Sequence, residues 1–118
     1  MEIQQSEAFA NEWIQAWKRR DLEALLSHYT EDVEFHSLLV VKLLGEPSGT
    51  IRGKENLRDY FRTALAAFPG DLEIELLGVY RGVDSLVVHF QVIGRKGAEV
   101  MELNREGKVH RALAHGQG

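Results

Sequence analysis

At 118 residues, 44% hydrophobic and 27% charged, the chain has room for one domain and a single core. The net charge of -4 argues against the clustered lysine and arginine with which nucleic-acid binders neutralise phosphate, and no apolar run approaches the roughly 18 residues of a membrane span. The absence of cysteine excludes disulfides, zinc–thiolate sites and thiol nucleophiles; the polar, acidic stretch Met1-Glu2-Ile3-Gln4-Gln5-Ser6-Glu7 is no secretory signal, so a cytoplasmic protein is the default expectation.

Phe9, Trp13, Ala16 and Trp17 recur at three- and four-residue spacing and predict a first helix from about Ser6, a candidate N-cap, to Arg19. Asp21 is placed to cap a second, short helix with Leu22, Leu25, Leu26 and Tyr29 inward, and His28 is expected as a solvated histidine. Val33 to Ser37 alternates at period two: Val33, Phe35 and Ser37 share one face, Glu34 and His36 the other. Leu38 to Leu44 is apolar throughout and reads either as more strand or as an irregular flap. A loop from Gly45 to Gly49 and a short strand at Thr50-Ile51-Arg52 lead to a third helix, Gly53 to Phe68, with Leu57, Tyr60, Phe61, Ala64, Leu65 and Phe68 inward. The rest reads as strands: Leu72 to Tyr80 with a bulge at Gly78, a hairpin from Ser85 to Leu103 turning at Gly94-Arg95-Lys96-Gly97, and a last strand from Lys108 to about His115.

Helices followed by consecutive antiparallel strands make an α+β domain with helices on one sheet face. The other face carries Leu77, Arg111, Leu113 and His115, a mixed surface suited to a homodimer.

Asp21-Leu22-Glu23-Ala24-Leu25-Leu26 leading to Tyr29-Thr30-Glu31-Asp32-Val33-Glu34-Phe35, then Ile51-Arg52-Gly53-Lys54-Glu55-Asn56-Leu57, then Met101-Glu102-Leu103-Asn104 before Gly107-Lys108-Val109, resemble the nuclear transport factor 2-like superfamily in its SnoaL-like branch. The resemblance covers essentially the whole chain, as one domain over residues 1–118. It implies a cone, a curved antiparallel sheet around a pocket, with three helices packed on its concave face. Ketosteroid isomerases, polyketide cyclases, epoxide hydrolases, dehydratases and non-enzymatic binding domains share this fold. Carried over by residue, the tyrosine that donates to the steroid oxyanion in ketosteroid isomerases falls on Trp13, and their aspartate base falls on Ser37. Their second oxyanion acid falls on Glu99, one methylene longer. The last-strand acid of SnoaL-like cyclases and limonene-type epoxide hydrolases falls at Ala114. One of the four positions therefore keeps an acid.

Glu99 is the acid expected inside, where desolvation raises a carboxyl pKa and prepares it as a neutral donor or a general acid/base. The competing expectation is a rim carboxylate satisfied by Lys96 or Arg95. His89 depends on the hairpin register. A two-residue loop pairing Ile93 with Ala98 and Val92 with Glu99 puts Glu99, Met101 and Leu103 inside with Val88, Phe90 and Val92, leaving His89 outside opposite Glu102; a bulged glycine at Gly97 would slip the pairing by one and bring His89 to the Glu99 face. The five histidines show no H-x-H or H-E-x-x-H spacing, so no metal is expected, and no cofactor is implied. Ser37 lacks a nucleophile elbow and reads as an orienting hydroxyl.

Two functions remain open on these grounds. One is an isomerase-, cyclase- or hydrolase-type enzyme acting on a small hydrophobic ligand or substrate. Its pocket would draw Trp13 and Trp17 from the first helix, Phe35 and Ser37 from the first strand, Phe61 and Leu65 from the third helix, and Phe90 and Met101 from the hairpin, with Glu99 as acid/base or oxyanion donor. The other is a non-catalytic ligand-binding or dimerisation domain with a vestigial pocket.

Overall fold

The computed structural model describes residues 2–117. The elements run α1 (Ile3–Lys18), α2 (Leu22–Leu26), β1 (Tyr29–His36), α3 (Leu38–Leu44), β2 (Thr50–Arg52), α4 (Lys54–Ala67), β3 (Ile74–Gly82), β4 (Ser85–Val92), β5 (Arg95–Leu103) and β6 (Val109–Gly116). The six strands form one sheet in the order β2-β1-β6-β5-β4-β3. The α+β architecture is the expected one, with two differences.

The first is a fourth helix. Leu38–Leu44 is neither strand nor flap but α3, bracketed by two local signals: the Ser37 hydroxyl accepts from the Leu39 N–H at 3.1 Å, and Gly45 ends the helix in the left-handed region at φ 68°. Ser37 thus serves as a helix cap. The second is that the sheet is not wholly antiparallel. β6 returns beside β1 and runs parallel to it, pairing Phe35 with Ala112 and His36 with Leu113. No turn connects these two strands, so nothing local in the sequence marks the pairing.

Helix α1 starts one turn before the expected Ser6 cap. Gln5 reaches back so that its Oε1 accepts from the Glu2 N–H at 3.0 Å, and Ser6 lies within the helix, its hydroxyl donating to the Ile3 carbonyl at 2.7 Å. Asp21 caps α2 as expected, accepting from the Ala24 N–H at 3.1 Å. Arg20 joins the helical layer together: its guanidinium donates to the carbonyls of Leu65 at 2.8 Å, Gly70 at 2.6 Å and Phe68, occupying acceptors that the end of α4 leaves open.

The hairpin turns two residues earlier than expected. Val92 pairs with Arg95, so Ile93 and Gly94 form a two-residue loop, both with positive φ (48° and 78°). Val88 therefore lies opposite Glu99, Leu86 opposite Met101, and His89 opposite Ala98 rather than Glu102. The displacement is even-numbered, and side-chain direction repeats every two residues, so the faces are those expected of a two-residue loop. Leu86, Val88, Glu99 and Met101 are buried, facing the core made with Phe9, Trp13, Val33, Phe35, Leu57 and Phe61. The bulge at Gly78 is present, as a register shift between Leu76 and Gly78. Gly97 is not a turn residue. A Cβ there would come within 2.8 Å of the Phe90 ring and 3.0 Å of the His115 carbonyl oxygen, so its glycine serves close approach. Among the described residues no helix is long and apolar enough to cross a membrane.

Candidate functional site

Glu99 sits on β5 between Val88 of β4 and Ala114 of β6. It is 4% exposed, and Ser6 is the only other buried polar residue among those described. Neither Lys96 nor Arg95 pairs with it. Its side-chain partner comes from the opposite end of the chain: Tyr29, the first residue of β1, places its hydroxyl 3.2 Å from Glu99 Oε2. The same hydroxyl oxygen accepts the indole N–H of Trp13, from α1, at 3.0 Å. Three elements thus converge in one hydrogen-bonded chain from Trp13 to Tyr29 to Glu99.

Burial dominates the electrostatics of this chain. Desolvation raises the Glu99 carboxyl to about 8, and the Tyr29 hydrogen bond offsets part of the rise. Tyr29 is itself pushed well above its usual range, by desolvation and then by the neighbouring Glu99 charge. Tyr60 on α4 is raised to about 12, chiefly by burial, with Ser37 acting against the rise and Glu99 adding to it. At neutral pH Glu99 is mostly protonated, a neutral carboxylic acid in an aromatic setting.

That setting contains most of the residues expected at a pocket. The Trp13 ring meets Trp17 at 6.2 Å and Phe90 at 5.5 Å, while Phe61 lies within 5.1 Å of Trp17, 5.6 Å of Phe35 and 5.7 Å of Tyr29, nearly all edge to face. Trp13, Phe35, Phe61 and Met101 are fully buried; Trp17, Leu65 and Phe90 are half-buried. Ser37, at the start of α3, reaches the edge of this setting through Tyr60, whose ring packs on Phe35 and Phe61.

Two open surface depressions occur elsewhere: one of about 260 Å³ between α3, β2 and α4, lined by Thr50, Arg52 and Asp59 among others, and one of about 450 Å³ along α1 and α2, lined by Glu12 and His28. Glu99 lines neither. Among the described residues no group of three or more His, Asp or Glu is placed to hold a metal ion.

Tyr29 is the site residue that sequence reasoning missed. It reads as an inward residue closing α2, yet it opens β1, and a register shift between Tyr29 and Glu34 interrupts the period-two pattern linking it to Val33 and Phe35. The usable signal is its parity with those residues.

On the outer face of the sheet, Glu34 is held at about 2 by hydrogen bonds, first from His36 (2.7 Å), then from Arg111 (3.1 Å) and Arg52. Arg111 also bonds Glu102 at 2.7 Å. This is a surface ion network of alternating sign, without access to the interior.

The profile of the SnoaL-like domain matches residues 10–116. The chain belongs to the SnoaL-like domain family. It is 42% identical to a SnoaL-like protein of unknown function from Burkholderia thailandensis, over 96% of this chain and 94% of that one, with a TM-score of 0.89. A proposed ketosteroid isomerase from Kribbella flavida is 18% identical, over 98% of this chain and 79% of that one, with a TM-score of 0.70. A nuclear transport factor 2-like protein of unknown function from Burkholderia xenovorans is 19% identical, over 97% and 84%, with a TM-score of 0.72. The last two likenesses are likenesses of fold. No curated protein matches the chain.

Proposed function

We propose that this SnoaL-like protein takes a small, mostly apolar molecule against Glu99, which acts as the acid or hydrogen-bond donor toward an oxygen of that molecule. The observation that carries this reading is the state of the Glu99 carboxyl: buried among aromatic side chains, raised to about 8, and partnered at one oxygen only. A neutral acid next to apolar walls recognises a carbonyl or hydroxyl oxygen on a hydrophobic body, and disfavours an anion. The half-buried rings of Trp17 and Phe90 are the groups that would meet such a body on its way in.

A second reading, binding without turnover, is supported by the lack of a second interior acid among the described residues. The position of an isomerase base is Ser37, whose hydroxyl caps α3, and the residue across from Glu99 on β6 is Ala114. Proton transfer between two substrate atoms would have to use Glu99 alone.

The test uses tryptophan fluorescence during titration with a series of small cyclic and aromatic ketones. Saturable quenching is expected, weakened about tenfold or more in Glu99→Leu, the scale of one lost hydrogen bond to a buried partner. Absence of saturable quenching across the series in the native protein would reject the reading. Solvent deuterium incorporation into a bound ketone separates the two forms: exchange lost in Glu99→Gln marks catalysis, and binding without exchange marks a carrier or sensor.

A further inference from the structure

The donors and acceptors of the buried chain can be assigned one by one. The indole N–H of Trp13 can only donate, so the Tyr29 oxygen must accept it. The Tyr29 proton then has one acceptor within reach, Glu99 Oε2 at 3.2 Å. If the carboxyl carried its own proton on Oε2, two hydrogens would meet between two oxygens, and one would lose its partner inside the core. A buried donor left unpaired keeps the full desolvation penalty of its group with nothing to offset it, which decides between the two arrangements.

The other carboxyl oxygen, Oε1, has no hydrogen bond of its own. Among the described residues, however, no fully buried side-chain nitrogen or oxygen lacks a partner. Oε1 is therefore not sealed, and the small exposed part of Glu99 includes it. The groups packed around the carboxyl contribute no competing charge: Trp13 from α1, Tyr29 from β1, Val88 from β4, Ala114 from β6 and, further off, Tyr60 from α4.

We propose that Tyr29, itself held by Trp13, is a positioning residue that fixes the proton of Glu99 on Oε1, the oxygen left open to a ligand. The order Trp13 to Tyr29 to Glu99 to ligand turns a carboxyl with two equivalent oxygens into a donor with one direction. A molecule bound there must offer an acceptor at Oε1; one that offers only a donor leaves the carboxyl proton unpaired. This inference rests on the reading of Glu99 as the group that meets the ligand, but its test needs no ligand, so the two can fail separately.

The direct measurement is a neutron structure of the perdeuterated protein at about pH 6, where the carboxyl is neutral. Deuterium is expected on Tyr29 Oη pointing at Glu99 Oε2, and on Glu99 Oε1. Deuterium on Oε2 would overturn the proposal. Infrared spectroscopy gives an independent reading. The carbonyl stretch of a protonated carboxyl, identified by its loss in Glu99→Gln, is expected to move to higher wavenumber in Tyr29→Phe, because Oε2 no longer accepts a hydrogen bond, and its titration midpoint is expected to rise. A band and midpoint that stay in place in a folded Tyr29→Phe protein would assign Tyr29 a packing role only.

Discussion

The carboxyl of Glu99 makes stability, and the function proposed for it, depend on the same proton. Its value in the unfolded chain, 4.5, lies below its folded value of about 8, so between the two the folded state holds a proton that the unfolded state has lost. Stability from this group is complete below 4.5 and declines as pH rises through 8, at about 1.4 kcal/mol per pH unit across the window. Glu99→Gln removes the dependence. In urea titrations the native protein is expected to lose a few kcal/mol relative to Glu99→Gln between about pH 5 and pH 8. Parallel curves for the two proteins would mean the carboxyl is not held neutral. Glu34 works in the opposite sense: held at about 2, it contributes above 4.5 and loses that contribution as pH falls toward 2. At the same scale, Gly97→Ala would push a methyl against Phe90 and the backbone of His115. Phe90 in turn contacts Trp13, the residue that holds Tyr29. We expect a loss of about 1–3 kcal/mol by thermal or urea unfolding, the range for overpacking a tight site.

Among the elements, the β4–β5 hairpin shows what a sequence can and cannot specify. The alternation of Val88 and Phe90, and of Glu99 and Met101, favoured Glu99 inside, and the structure places it there because the turn is displaced by an even number of residues, which preserves the face. The turn itself was misplaced because both Gly94 and Gly97 look like turn residues, and only the folded protein distinguishes a turn glycine from one cleared for a ring. Ile93 hides the true turn further: a β-branched residue at φ 48° goes against its own preference, so no propensity argument selects it. Ile93→Asn is therefore expected to stabilise the protein by about 1 kcal/mol, since the residue is half exposed and asparagine tolerates that conformation. An unchanged or lower unfolding midpoint would mean the Ile93 side chain is worth more than its strain. Helix α3 was legible in its caps, Ser37 and Gly45, but not in its body. Val40 is buried and Leu39 and Leu43 pack beside it, but every residue of the helix except Lys42 is apolar, so the stripe does not stand out in the sequence. The parallel pairing of β1 with β6 and the meeting of Tyr29 with Glu99 join residues 70 or more positions apart, which no local pattern encodes.

For the whole molecule, the outer sheet face remains to be accounted for. Cross-strand pairing aligns Leu113, Val100, Val87 and Tyr80 in one outward row across four strands. Beside it runs a second row, Arg52, Glu34, Arg111 and Glu102, alternating in sign. A row of apolar side chains bordered by charges of both signs is self-complementary: turned about a twofold axis, a second copy lays apolar row against apolar row and finds opposite charges at the border. We propose that two copies pair through this face. Val100→Glu places a charge in the middle of the row while leaving the concave core untouched, so it should leave the fold intact and separate the copies. Sedimentation velocity at tens of micromolar (roughly 10–100 µM) is expected to give a dimer for the native protein and a monomer for the variant. A native protein that stays monomeric over that range, or a variant that stays dimeric, would place the interface elsewhere. Because the rows at this face and the Glu99 side chain alternate on the same strand, β5, the two tests read opposite faces of one element: Val100→Glu should alter assembly without moving the Glu99 titration, and Glu99→Gln the reverse.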